Sequence, residues 1–263
     1  MIKLEIKQQV AWVSLARPEK QNALSFAMFV ELSNVIKEIK RDRSLRAVVI
    51  SGEGEHFCSG LDVAAVMKKP SNIIKLLFKW LPGNQNLAQK VVLGWQDLSI
   101  PVIAKVTGHC FGGGMQIALG ADYRIVDKNA KLAIMEARWG LCPDMGANVV
   151  LAGLMKRDQA LWLASHAGPV SAEDAKEYGL VTQLTDDVDK QTDAVLETLM
   201  ARSPDTLAAI KRITQQSFRS QQRKILAKET WSQIRLLMNP NTKKAIAKAK
   251  GAEDIKFNNA KSW

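Results

Sequence analysis

The stretch Gly108-His109-Cys110-Phe111-Gly112-Gly113-Gly114-Met115-Gln116-Ile117-Ala118-Leu119-Gly120 decides the fold. It follows a predicted strand, Pro101 to Thr107, and runs into an apolar helix that buries Ile117, Ala118, Leu119 and Ala121. Three consecutive glycines cost chain entropy, so they mark a turn where the backbone comes close to something or bares its N–H groups. A helix N-terminus behind such a turn suits an anion or a developing oxyanion. The commoner glycine loops fail here. A dinucleotide fingerprint starting at Gly112 needs a glycine where Ile117 stands, and no Gly-Lys-Ser/Thr follows for a phosphate loop. No serine lies inside the cluster for a nucleophile elbow. A tight strand-to-helix turn without chemistry stays open at this point.

Upstream, Ala47 to Ser51 is a short apolar strand of the kind buried on both faces, and it ends in a second glycine-rich loop, Gly52 to Asp62. Two strand-then-glycine loops at comparable positions imply repeated ββα units. Val10 to Ala16 reads as a strand, with Arg17 to Leu24 as the loop leaving it. Ser25 then caps a helix to about Lys40, its apolar side formed by Phe29, Leu32, Val35, Ile36 and Ile39. Residues 63–95 are less regular. Lys68-Lys-Pro-Ser breaks the chain, and Ile73 to Leu81 is an apolar helical stretch closed by Pro82-Gly83-Asn84. With Phe78 and Trp80 it reads equally as a lid over an apolar substrate or a helix packed on the core.

Downstream, Tyr123 to Val126 and Lys131 to Met135 read as strands around Asp127-Lys-Asn, with Glu136 directly at the second strand's end. Asp144 precedes the apolar segment Ala147 to Leu154, as an N-cap or as a catalytic acid. Ser171-Ala-Glu-Asp174 opens a capped helix ending near Gly179, and Leu180 to Leu184 is a return strand. From Val188 onward the pattern is helical, with breaks at Pro204 and Asn239-Pro240-Asn241.

At 263 residues the chain fits one domain with a terminal extension: a core over 1–203 and a helical region over 204–263. No apolar run approaches the roughly 20 residues that span a bilayer. Met1 to Lys7 lacks the apolar core of a signal peptide, so a cytoplasmic or processed matrix protein is expected. The cysteines, Cys58, Cys110 and Cys142, are widely spaced with no Cys-x-x-Cys pair, so free thiols and no metal are expected. The net charge of +11 is concentrated late, with 13 Lys/Arg against 4 Asp/Glu from Pro204 on. Such a tail can meet nucleic acid, the phosphates of a small molecule, or only solvent. No RNA-recognition signature accompanies it, so nucleic acid is not the expected partner.

Phe57-Cys58-Ser59-Gly60-Leu61-Asp62, Phe111 to Asp122, Met135 to Asp144 and Ser171 to Leu180 together resemble the enoyl-CoA hydratase/isomerase (crotonase) superfamily. The resemblance runs from Arg17-Pro18 to at least Val181. It implies an α/β fold: a spiral of ββα units with a helical C-terminal trimerisation region, as a homotrimer or hexamer. It also implies an acyl-CoA thioester substrate, which brings its own coenzyme A, so no separate cofactor and no membrane partner are expected. Two backbone N–H groups, of Leu61 and Gly113, would hold the thioester oxygen. Ser59, Gly60, Asp62 and Gly112 beside them, and Arg17 and Lys20 from the first loop, are implied substrate-binding residues.

The acid/base positions that the resemblance points to are Gln116, Glu136 and Asp144. Hydratases of the superfamily carry glutamates at the first two. Here the first is an amide, which orients by hydrogen bonds but takes no proton at neutral pH. Glu136 alone can carry a proton from one carbon of an allylic system to another. Asp144 matches a further acid of the dienoyl-CoA isomerases. The expectation is an enzyme that stabilises a thioester enolate in fatty-acid metabolism, an isomerase ahead of a hydratase. The rival is a catalytically weak acyl-CoA or RNA-binding protein of the same fold. Cys58 beside His56 suggests a thiol nucleophile only superficially, and His109 is left without a role.

Overall fold

A hairpin absent from the sequence reading begins the chain. Ile2–Lys7 (β1) pairs antiparallel with Val10–Leu15 (β2) around Gln8 and Gln9, whose φ angles are 49° and 63°. Two left-handed residues give the turn the twist a two-residue hairpin needs. Glutamines carry no turn signal, and only Ile2 and Leu4 of β1 pack inward, which is why the strand was missed. The structure is a computed structural model and describes residues 1–67, 69–218, 222–253 and 255–258.

Ala47–Gly52 (β3), Val102–Val106 (β4), His109–Phe111 (β5), Tyr123–Asp127 (β6), Lys131–Ala133 (β7), Val170–Ser171 (β8) and Gln183–Thr185 (β9) complete the strands. A six-stranded sheet runs β1-β2-β3-β4-β6-β9, parallel from β2 onward. A small sheet runs β5-β7-β8. Isolated parallel bridges, Leu24 to Leu61 and Cys58 to Cys110, stack the loop after each main strand onto the next. These stacked rungs are the turns of a ββα spiral. The glycine stretch therefore leaves β4 through Gly108, forms the short strand β5, and only then enters a helix.

Phe26–Arg41 (α1) starts where expected, Ser25 Oγ accepting from the Met28 N–H. Val63–Met67 (α2) and Pro70–Leu77 (α3) follow, and α3 ends before Phe78. The helix expected over 73–81 is thus earlier and shorter, with Phe78 and Trp80 exposed beyond it. In the break read at 68–71, Lys68 lies outside the described residues, and Pro70 opens α3.

Leu87–Gln96 (α4) was not expected. Its β-branched pair and Gly94 weaken the helical signal. A Cβ on Gly94 would stand 3.1 Å from Ile36 of α1, so the glycine lets two helices meet. Gly113–Gly120 (α5) is buried along its whole length.

Ala147–Leu154 (α6), Arg157–His166 (α7) and Ala172–Glu177 (α8) lie between β7 and β9. Ser171 caps α8 as predicted, accepting from the Asp174 N–H at 3.0 Å. Asp144 does not cap α6: the cap position is Gly146, with no side-chain bond. Val188–Met200 (α9) covers one face of the main sheet through Val188 and Leu196, against Ala47, Val49, Ile103 and Ile125. Val48 and Ile50 face the larger core on the other side, so the unbroken apolar run of β3 is accounted for. Pro204–Phe218 (α10), Gln222–Leu237 (α11) and Pro240–Ala249 (α12) form the helical end of the chain, α11 packing on α6.

Candidate active site

Two loops build the site. Gly60, at φ 100°, turns the first so that its carbonyl accepts from the Leu24 N–H at 2.7 Å while the Asp62 N–H donates to Leu24 O at 3.0 Å. The Leu61 N–H between them is left over. In the second loop the Gly112 N–H donates to Ala133 O at 2.8 Å, and its φ of 49° swings the chain into α5. Gly113 is then the first helical residue, and its N–H has no acceptor within the helix. Among the described residues neither the Leu61 nor the Gly113 N–H finds an acceptor.

The loops are pressed together. A Cβ on Gly60 would lie 3.8 Å from the Gly112 Cα, and one on Gly114 only 2.4 Å from the Cys58 Cβ. At Gly114 glycine is a requirement of distance, and at Gly60 of the left-handed φ. A Cβ on Gly112 would also lie 3.8 Å from Glu136 Oε1, which brings the carboxylate beside the bare N–H groups.

Glu136 stands in a 3-10 turn, Glu136–Trp139, rather than at the end of a strand, because β7 stops at Ala133. Its Oε1 accepts from Gln116 Nε2 at 2.6 Å, and its Oε2 is buried without a partner. Burial raises the Glu136 carboxyl above its ordinary value, against the lowering effect of its backbone hydrogen bonds and of Gln116. Gln116 Oε1 in turn accepts from the Met145 N–H at 3.1 Å. The amide is fully buried behind Glu136 and does not line the cavity, so it fixes the carboxylate rather than meeting substrate.

The cavity, about 250 Å³, is lined by Ser59, Gly60, Leu61, Gly112 and Gly113 at one end, with Glu136 and Asp144 in its wall. Leu76 and Leu77 of α3, Leu237 of α11 and Ile246 of α12 close its apolar side. Met135 and Trp139 also face it. Arg17, Lys20 and Asp62 do not. Arg17 Nη1 pairs with Asp62 Oδ2 at 2.8 Å and donates to Ala23 O at 3.1 Å, while Asp62 Oδ1 accepts from the Ala65 N–H at 3.0 Å. Burial works to raise the Asp62 carboxyl, but Ala65 and Arg17 outweigh it and hold it below the usual range. This pair staples the first loop to its neighbour. Lys20 is exposed, and its carbonyl accepts from Ser59 Oγ at 3.4 Å.

Two residues that the sequence reading did not single out complete the surroundings. Glu229 of α11 is buried and accepts from the Gly146 N–H at 3.0 Å, the Asn148 N–H at 3.3 Å and Gln89 Nε2 at 3.1 Å. Burial lifts it to about 7 despite these bonds. Burial, Glu229 and Glu136 together lift Asp144 to about 8, so its carboxyl is protonated at neutral pH. Gln233, also on α11, lines the cavity. No sequence motif marks either residue, because each is a lone polar position on a charged amphipathic helix.

The cysteines offer no nucleophile: burial pushes Cys58 and Cys142 up to about 12, and the Cys58 thiol donates to Asn22 O at 3.1 Å. His56 Nδ1 is taken by the His109 N–H at 3.2 Å. Among the described residues no group of three or more His, Cys, Asp or Glu is placed to hold a metal ion. Nor, among them, is any helix long and apolar enough to cross a membrane.

A ββα spiral whose successive glycine loops meet at one cavity is the crotonase-type fold. The model of the family described as enoyl-CoA hydratase/isomerase matches residues 5–257, and the chain belongs to that family of enzymes. It is 31% identical over 182 residues to 1,2-epoxyphenylacetyl-CoA isomerase of Escherichia coli, 69% of this chain and 68% of that one. It is 35% identical over 184 residues to short-chain-enoyl-CoA hydratase of Clostridium acetobutylicum, 70% of this chain and 68% of that one. Among solved structures, an enoyl-CoA hydratase from Mycobacterium avium subsp. paratuberculosis superposes with a TM-score of 0.83 at 24% identity. That match covers 95% of this chain and 98% of the other, and shows the fold.

Proposed function

We propose that the protein is an acyl-CoA isomerase that moves a carbon–carbon double bond by way of a thioester enolate. The Leu61 and Gly113 N–H groups hold the thioester oxygen as it gains negative charge. Preorganised donors of this kind are worth about 3 kcal/mol each. Glu136 takes a proton from C2 of a 3-enoyl thioester on its free Oε2, the electron pair spreads through the enolate, and the proton returns to C4. A carboxyl raised by burial is better matched to a weak carbon acid than an ordinary one.

The observation that carries this reading is the Gln116 amide, 2.6 Å from Glu136 Oε1 and held from behind by Met145. Beside the base stands a neutral group that moves no proton, so one carboxylate serves both carbons. Water addition with Asp144 as the acid is the second reading, favoured by its protonated carboxyl in the same wall. Exposed apolar side chains on α7, α10 and α11, including Trp162, Ile210 and Trp231, support assembly as a homotrimer or hexamer.

The test is an assay of short and medium 3-enoyl-CoA and 2-enoyl-CoA substrates, following bond migration and water addition side by side. Migration without hydration is expected. Hydration as the main reaction overturns the isomerase reading. Glu136→Gln is expected to lower turnover by about a thousandfold, within the range of general acid–base catalysis, while thioester binding persists. Turnover retained in that variant moves the role to Asp144.

A further inference from the structure

One polar group in the cavity wall is left unused by this mechanism. Gln233 is 6% exposed and lines the cavity. Its Oε1 accepts from both the Cys142 N–H at 3.2 Å and the Cys142 thiol at 3.4 Å. A backbone N–H only donates, so the amide oxygen must be the atom facing it, and the orientation of the amide is settled. The Nε2 group therefore points away from Cys142 with two hydrogens to give. It finds no acceptor among the described residues. Nor is it sealed in protein: the enclosed atoms without partners are Trp95 Nε1 and Glu136 Oε2. Because Gln233 lines the cavity, a ligand there is within reach of these donors.

An amide donor in a cavity wall is costly when a hydrocarbon covers it and no water remains, because a buried donor left unmade loses its hydration without return. Such a wall discriminates for a ligand that brings an acceptor to the same place. The acceptor has to be uncharged. Glu136, whose carboxylate is the base, shares the cavity with Gln233, so an anionic acyl group would enter against its charge.

We infer that the cavity takes an acyl thioester whose acyl group carries a neutral oxygen acceptor, a keto, hydroxyl or ether oxygen, and that Gln233 recognises it. The inference rests on the reading of this cavity as the acyl pocket, but not on which reaction occurs there.

The test uses saturated acyl-CoA thioesters, which cannot turn over. A hydrocarbon parent is compared by calorimetry with a set in which each methylene in turn is replaced by an ether oxygen. For the wild-type protein one oxygen position is expected to bind about tenfold more tightly than the parent, the size of one net hydrogen bond. The other positions should bind no better than the parent. Gln233→Met is expected to abolish that difference. Gln233→Leu also removes both donors, so it should abolish the difference as well and serves if the first variant does not fold. If every ether analogue binds no better than the parent, or the preference survives both substitutions, the inference is overturned. Binding of the series with this preference but without isomerisation of 3-enoyl-CoA would sink the isomerase reading alone. Failure to bind any of the thioesters sinks both.

Discussion

Gln116→Glu places a second carboxyl where an amide now donates to Glu136 Oε1 across 2.6 Å. Two unit charges at that separation repel by about 6 kcal/mol at an effective dielectric of about 20, or about 4 to 5 pKa units. The pair therefore keeps one proton through neutral pH, as close carboxyl pairs do, and its two ionisations belong to the pair. The shared proton takes the place of the amide hydrogen, and the other new oxygen still accepts from the Met145 N–H, 3.1 Å away in the wild type. The shared proton can sit on Glu136, so the carboxyl that lines the cavity can deliver a proton as well as take one, as adding water across a 2-enoyl thioester requires. Hydration of crotonyl-CoA, followed by loss of the conjugated thioester absorbance, is expected to rise about a hundredfold over the wild type. The pH dependence supplies a second reading. One carboxyl of the pair has a folded pKa raised above its unfolded value near 4.3, so its contribution to stability is complete below that pH. The contribution is lost as pH rises through the raised value, and the variant should weaken relative to wild type across that span. A folded variant with no gain in hydration would refute the argument that position 116 sets the reaction. A stability difference that does not change with pH would refute the shared proton.

The wild-type carboxyl cluster makes a related prediction. Glu136 is raised, Glu229 lies at about 7 and Asp144 at about 8, all above unfolded carboxyls, so their stabilisation is full below about pH 4 and is lost as pH climbs through those values. Urea midpoints attributable to this cluster should fall between pH 5 and pH 9, and Asp144→Asn should flatten the fall; a slope unchanged by that substitution refutes the assignment. Gly114→Ala puts a methyl 2.4 Å from the Cys58 Cβ and 2.7 Å from its sulfur, so the first turn of α5 has to move. A loss of about 1 to 3 kcal/mol of stability and most of the turnover is expected, checked by thermal melts and the enoyl-CoA assay. A variant that matches wild type in both would show that the two loops are not held by contact.

What could be read from the chain was local. Ser25 and Ser171 announce their helices because capping needs only three residues of context, and the run Ala47 to Ser51 announces a doubly buried strand because every residue agrees. The glycine triplet could be read because the φ of 49° at Gly112 and the crowding at Gly114 both call for glycine. The β1 hairpin was hidden by Gln8 and Gln9, which take left-handed angles without the residues that usually do so. Asp144 before an apolar helix reads as a cap or as a catalytic acid, and Gly146 ends the turn two residues later and leaves the carboxyl facing the cavity. Glu229 and Gln233 had no local signal at all, since their meaning comes from Gly146 and Cys142, more than 80 residues earlier.

That separation orders events during synthesis. The chain emerges from the ribosome with its glycine loops first, while Glu229, Gln233, Leu237 and Ile246 come more than 100 residues after α5 has ended at Gly120. At usual translation speeds the gap lasts on the order of ten seconds. The wall that Gln233, Leu237 and Ile246 supply is therefore added to the glycine loops only once that gap has passed.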